Sequence, residues 1–210
     1  MSAQLFHEYG LLAAAADKAF RKMEEEYGEC IKCRRGCTDC CHAVFGLFFI
    51  EAAFINCRFN ELGRAKRAKI LLRAAQADKD LERLQRRLAY YTEDPQMQAY
   101  ALSRERLRCP LLNENEDCDL YPFRPITCRV YGIPVAIHGR AQVCWKAGFE
   151  RGKSYPAFDL DAVYERLYLL SKKLLAGSGE QDTERASYLV SVSKSLQTPL
   201  RELIGMEVEG

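Results

Sequence analysis

Apolar residues recur at steps of three and four from Gln4 to Tyr27, at Leu5, Phe6, Tyr9, Leu12, Ala16, Phe20, Met23 and Tyr27. This spacing predicts an amphipathic helix with one buried stripe, ended by Gly28. A second helix is expected over Phe48 to Leu62, with Ile50, Phe54 and Cys57 on one face and Gly63 behind it. The third is the most regular: Ala74, Ala77, Leu81, Leu84, Leu88 and Tyr91 keep helical spacing opposite a face of Arg and Lys. It must stop before Pro95, whose ring clashes with a continuing helix.

Between Cys109 and Gly152 the pattern breaks. Prolines at 110, 122, 125 and 134, and the polar run Asn113 to Asp117, forbid long helices. Short strands or irregular loops are expected there, around Cys128 to Tyr131 and Val135 to Ile137. Helical spacing returns at Leu160, Val163, Leu167, Leu170 and Leu174, ending near Gly177. Gly177-Ser178-Gly179 then reads as a linker to a final helix, roughly Asp182 to Leu196. The expected fold is mainly α: a helical bundle with an irregular, proline-rich cysteine-cluster lobe containing little β. Residues 1–210 are expected to form a single domain, with a metal-binding core of about 30–150 and the terminal helices packed around it.

Composition narrows the function classes. The chain has 31 Lys and Arg against 29 Asp and Glu, a net charge of +2, and 48% hydrophobic residues, which excludes wholesale disorder and names no charged partner. The apolar run Leu11 to Ala16 follows Glu8 rather than a basic segment, and Ala43 to Ile50 is too short to span a bilayer. A cytoplasmic protein without a membrane partner is therefore expected. In that compartment thiols stay reduced, so clustered cysteines point to metal or redox chemistry rather than disulfides.

Eight of the ten cysteines fall into two groups: Cys33, Cys37, Cys40 and Cys41, then Cys109, Cys118, Cys128 and Cys144. Each is a set of four thiolates, the number that suits zinc or an iron–sulfur cluster. Cys37-x-x-Cys40 is a step that wraps one metal, and Gly36 lets the chain turn beside it. The second group lies in a segment with little to bury except its sulfurs, where metal binding would supply the folding energy. The competing reading is a buried stripe, since positions 30, 33, 37, 40/41 and 44 also follow helical spacing and free cysteine packs well. Against it, packing does not require sulfur every time, and the second group has no helical spacing. Cys57 reads as core beside Ile50 and Phe54, whereas Cys30 is either a helix-end thiol or a spare ligand.

Several segments together resemble a known family, the YkgJ-like CxxCxxCC cysteine-cluster proteins. They are Cys33-x-x-Gly36-Cys37-x-x-Cys40-Cys41, Glu51-Ala52, Cys109-Pro110-Leu111-Leu112, Cys118-Asp119-Leu120-Tyr121, Arg124-Pro125-Ile126-Thr127-Cys128-Arg129 and Cys144. The resemblance implies zinc or iron chelation. One departure stands out: three residues, not two, separate Cys33 from Cys37, which leaves Cys30 or Cys33 as the first ligand. A similar cysteine cluster in a bacterial flagellin lysine methylase keeps a cluster-dependent enzyme, a methylase or oxidoreductase, as the alternative by analogy.

The metal stays open between zinc and iron, an iron–sulfur cluster being suited by the apolar sequel Val44 to Phe49 as well as zinc is by four thiolates. Arg124 and Arg129 could offset thiolate charge or be ordinary surface arginines. Residues 58–108 hold 13 Lys and Arg against 7 Asp and Glu, but aromatic residues are sparsely interleaved, so nucleic acid is disfavoured as a partner. Nothing in the chain identifies a protein partner. The two cysteine groups are expected to meet in space, because closing the 67 residues between Cys41 and Cys109 costs an entropy that grows only logarithmically with length.

Overall fold

A computed structural model describes residues 2–179 and 183–205. The chain is mainly helical, as the periodicity predicts. Helix α1 spans Ser2–Tyr27 and buries Leu5, Tyr9, Ala16 and Met23 of the predicted stripe together with Ala13, while Phe6, Leu12, Phe20 and Tyr27 are partly buried against the core. Helix α2, Phe49–Asn60, sits at the centre and is buried on most sides, Glu51 and Asn56 included. Its two buried polar side chains, Glu51 and Asn56, have partners. Asn56 Nδ2 donates to Ser195 O at 2.7 Å and Thr198 O at 2.9 Å, and Ile50 N donates to Ser171 Oγ at 3.1 Å. Paired in this way, they hold the helix in register at little desolvation cost.

Helix α3, Arg64–Leu88, buries Ile70, Ala74 and Leu84 and leaves Arg83, Arg86 and Arg87 exposed. It ends before Pro95, as the ring requires. That proline then opens α4, Pro95–Ser103, a helix the sequence reading did not foresee: Asp94 caps it by accepting from Met97 N at 2.9 Å. Helix α6, Leu160–Ala176, carries the predicted stripe, with Val163 only partly covered, and is capped by Asp159.

Two expectations are corrected. Cys128 lies in a short helix, α5 (Ile126–Val130), rather than a strand or loop. The expected final helix, whose start at Asp182 falls outside the described residues, is divided. A 3-10 turn, Thr183–Ser187, leads to a β-bridge between Leu47 and Val190, followed by α7, Val192–Gln197, and α8, Leu200–Leu203. Val190 exchanges both backbone hydrogen bonds with Leu47 at 2.8 Å, and this tertiary pairing outweighs local helix propensity.

The only sheet among the described residues is small: β1 (Val135–Ile137), β2 (Arg140–Gln142) and β3 (Phe158–Asp159), ordered β2-β1-β3. β1 and β2 form a tight antiparallel hairpin through His138 and Gly139, both at positive φ, as a two-residue turn of matching twist requires. No described helix is long and apolar enough to cross a membrane.

Candidate metal centre

The first cysteine segment is irregular. Gly36 adopts φ +83°, Cys37 N donates to Arg34 O at 2.9 Å, and a 3-10 turn, Asp39–His42, carries Cys40 and Cys41. This turn is tied to the second cysteine segment through the backbone. Cys109 N donates to Cys41 O at 2.7 Å, Leu107 N donates to His42 O at 3.0 Å, and Ala43 bridges Arg106. The two groups therefore meet, joined by main-chain bonds across the intervening helices.

From Cys109 the chain makes a hairpin. Leu112 bridges Cys118, and Asn113 Oδ1 accepts from Asn115 N at 2.9 Å and Asp117 N at 3.1 Å. The hairpin is docked on α3 by Asp119, which pairs with Arg73 and with Lys66 at 3.1 Å. These two members of the basic face thus hold the Cys118 hairpin. Cys128 sits on α5, whose first backbone donor, Ile126 N, is accepted by Glu51 Oε1 at 3.0 Å, while Glu51 Oε2 accepts from Phe48 N at 3.4 Å. Glu51 is 2% exposed, and burial pushes its carboxyl up to about 7 against the opposing effect of these bonds and of Arg129.

Cys144 follows β2 in a turn closed by Ala147 N to Cys144 O at 2.9 Å, and its Sγ donates to Asp39 Oδ2 at 3.3 Å. Asp39 is 2% exposed and also pairs with Arg106 at 2.7 Å and Lys146 at 3.3 Å. Burial opposes its charge, but the Cys144 hydrogen bond and the two cations outweigh it and lower its pKa. Cys33 lies tight against Gly132: a Cβ added there would stand 2.2 Å from Cys33 Sγ.

The sulfurs gather round two adjoining cavities: Cys40, Cys41, Cys118 and Cys128 line both, Cys109 lines one, Cys33 and Cys37 line the other, and Cys144 stands at the edge of this layer beside Asp39. Cys128 and Cys41 donate hydrogen bonds to Cys40, which together with the Arg124 charge lower its pKa and favour a thiolate there. Donation to Cys40 and burial raise Cys41 and Cys128 in turn. Burial, reinforced by neighbouring sulfurs, pushes Cys33 and Cys109 up to about 12 and Cys118 to about 11. Cys33 and Cys37 line the same cleft as Cys40, Cys41, Cys118 and Cys128, so the outer sulfurs adjoin the inner ones there. All ten cysteines are free thiols. Among the described residues no three His, Cys, Asp or Glu side chains already stand in metal-ligand geometry.

The layer includes all eight predicted cysteines. Cys57 stands apart on α2, where its charged neighbours are Arg58 and Glu61 and no sulfur is near. Cys33 lines the cleft with the other sulfurs and Cys30 lines neither cavity; the Cys30 carbonyl accepts from Gly148 N at 2.7 Å. Sequence reasoning missed Asp39, Arg106 and Lys146. The position of Asp39 between Cys37 and Cys40 was the one available signal. It also left the two arginines undivided. Arg129 is buried and structural, holding Asp17 at 2.6 Å, Pro122 O at 2.7 Å and Arg124 O at 2.8 Å. Arg124 is the cation that bears on the sulfurs.

The layer separates two cavities. On one side Val44, Phe45, Leu81, Leu107, Leu111 and Val192 make a largely apolar pocket, and on the other a polar cleft of about 670 Å³ opens. A mainly helical protein folded round a half-buried layer of sulfurs is suited to binding soft or borderline metals, and a donor set made wholly of thiols fits zinc or iron. The chain belongs to the CxxCxxCC family, described as a "putative zinc- or iron-chelating domain", whose pattern matches residues 32–145. No curated protein and no solved structure shows a significant match.

Proposed function

We propose that residues 1–210 form one domain around a zinc- or iron-binding centre in which Cys33, Cys37, Cys40, Cys41, Cys109, Cys118, Cys128 and Cys144 supply thiolates. The observation that carries this reading is the position of Cys40. It lines both cavities with Cys41, Cys118 and Cys128, sharing one with Cys109 and the other with Cys33 and Cys37, so it stands between the outer and inner sulfurs. Eight thiolates are twice what one tetrahedral ion takes, so the set suits two metal ions with four thiolates each, or one polynuclear centre. Two zinc ions or a sulfide-bridged iron cluster satisfy this donor set; the first is structural, and the second adds one-electron redox chemistry. The chain's own residues prepare the site. Glu51 fixes the helix bearing Cys128, Asp39 holds Cys144, and Arg124 offsets thiolate charge.

Anaerobic purification from metal-replete cells, followed by metal and acid-labile sulfide analysis, tests the reading. A brown protein that bleaches with dithionite is the iron–sulfur form, and a colourless one with bound zinc and no sulfide is the zinc form. Cys40→Ser should lose the largest share of metal, and Cys30→Ser and Cys57→Ser none. A metal-free protein that is equally well folded would overturn the proposal.

A further inference from the structure

We infer that the polar cleft over the sulfur layer binds a small anion carrying a flat apolar group, held by Arg21, Arg34 and Arg124. The cleft, of about 670 Å³, falls within the roughly 300–1,000 Å³ of small-molecule sites and exceeds what metal ions alone require. Five arginines line it. Two are already neutralised, Arg129 by Asp17 at 2.6 Å and Arg35 by Asp117 at 3.4 Å. Among the described residues Arg21, Arg34 and Arg124 pair with no carboxylate. Glu24 and Glu116, the remaining carboxylates of the lining, are exposed, as are Arg21 and Arg34, whereas Arg124 is half-buried beside the sulfurs.

Arg124 is built as an anchor. Its Nε donates to Tyr121 O at 3.1 Å and its guanidinium lies 3.7 Å from the centre of the Tyr121 ring, which fixes the plane and leaves both Nη groups for a ligand. Tyr121 and Phe20 supply an aromatic wall for the apolar part. Compensation of thiolate charge engages Arg124, the arginine that bears on Cys33, Cys40 and Cys118. The inference relies on the proposed metal centre only for what lies beside the ligand.

Isothermal titration of the full-length protein as purified, with its metal content measured in parallel, tests it with phenyl phosphate, inorganic phosphate and phenol. Phenyl phosphate should bind, more tightly than inorganic phosphate, and phenol should not. Arg21→Ala and Arg34→Ala should each weaken phenyl phosphate by about fivefold, the loss of one exposed charge-assisted contact, with metal content unchanged. Glu24→Gln should tighten it. Absence of phenyl phosphate binding, an affinity indifferent to both arginine variants, or weakening by Glu24→Gln overturns the inference, and inorganic phosphate binding as tightly removes the apolar group. A metal-loaded protein that ignores phenyl phosphate refutes this site alone, whereas a metal-free, folded protein refutes the metal centre.

Discussion

Replacing Glu51 by Gln isolates the electrostatic cost of capping the Cys128 helix with a buried carboxylate. The Glu51 carboxyl is raised from 4.5 to about 7 by burial, with the Ile126 and Phe48 donors opposing. Below pH 4.5 the folded and unfolded states are both protonated, so the shift has no effect. As pH rises through the window from 4.5 to about 7 the unfolded chain releases its proton first, and stability falls until the folded carboxyl also ionises. At about 1.4 kcal/mol per pKa unit, the whole window removes about 3 kcal/mol. Glu51→Gln keeps the acceptor for Ile126 N and has no proton to lose. Its amide nitrogen cannot accept from Phe48 N, a loss of about 1 kcal/mol that does not vary with pH. Urea unfolding of the metal-loaded wild type and variant, compared at matched pH from about 4 to 8, reads the difference. The pH dependence of metal binding is common to both proteins and cancels. The stability of Glu51→Gln relative to wild type should rise by about 3 kcal/mol across the range, leaving the variant about 2 kcal/mol the more stable at the alkaline end. A difference that stays constant with pH refutes the argument.

Gly132→Ala should destabilise the protein by about 1–3 kcal/mol and reduce bound metal, because the new methyl would stand 2.2 Å from Cys33 Sγ; chemical unfolding and metal analysis read both. Metal uptake should release protons and weaken as pH falls, since Cys33 and Cys109 at about 12 and Cys118 at about 11 are thiols at neutral pH; titration in two buffers of different ionisation heat counts the protons. Asp39→Asn leaves Arg106 and Lys146 without their shared carboxylate and loosens Cys144. With both cations about 40% exposed, the expected loss of stability is only about 1–2 kcal/mol, and a faster transfer of metal to a competing chelator should accompany it.

Helices α1, α3 and α6 were legible in the sequence because a buried stripe repeats every three to four residues, and that period is a local property of the chain. The cysteine segments were legible for a different reason: thiol chemistry belongs to the residue itself, and short spacing keeps the closure entropy small. Helix α5 was not legible, since five residues carry no period and the carboxylate that caps them comes from Glu51 on another helix. Cys33 rather than Cys30 joins the sulfurs because Gly132 leaves room for it, a contact between segments about a hundred residues apart. Arg124 and Arg129 look alike as letters, and only burial against Asp17 separates the structural one from the one beside the sulfurs. Local periodicity and residue chemistry were thus determined by the sequence alone. Which groups share one low-dielectric space, and therefore which charges and hydrogen bonds act on Cys40, was decided by tertiary packing.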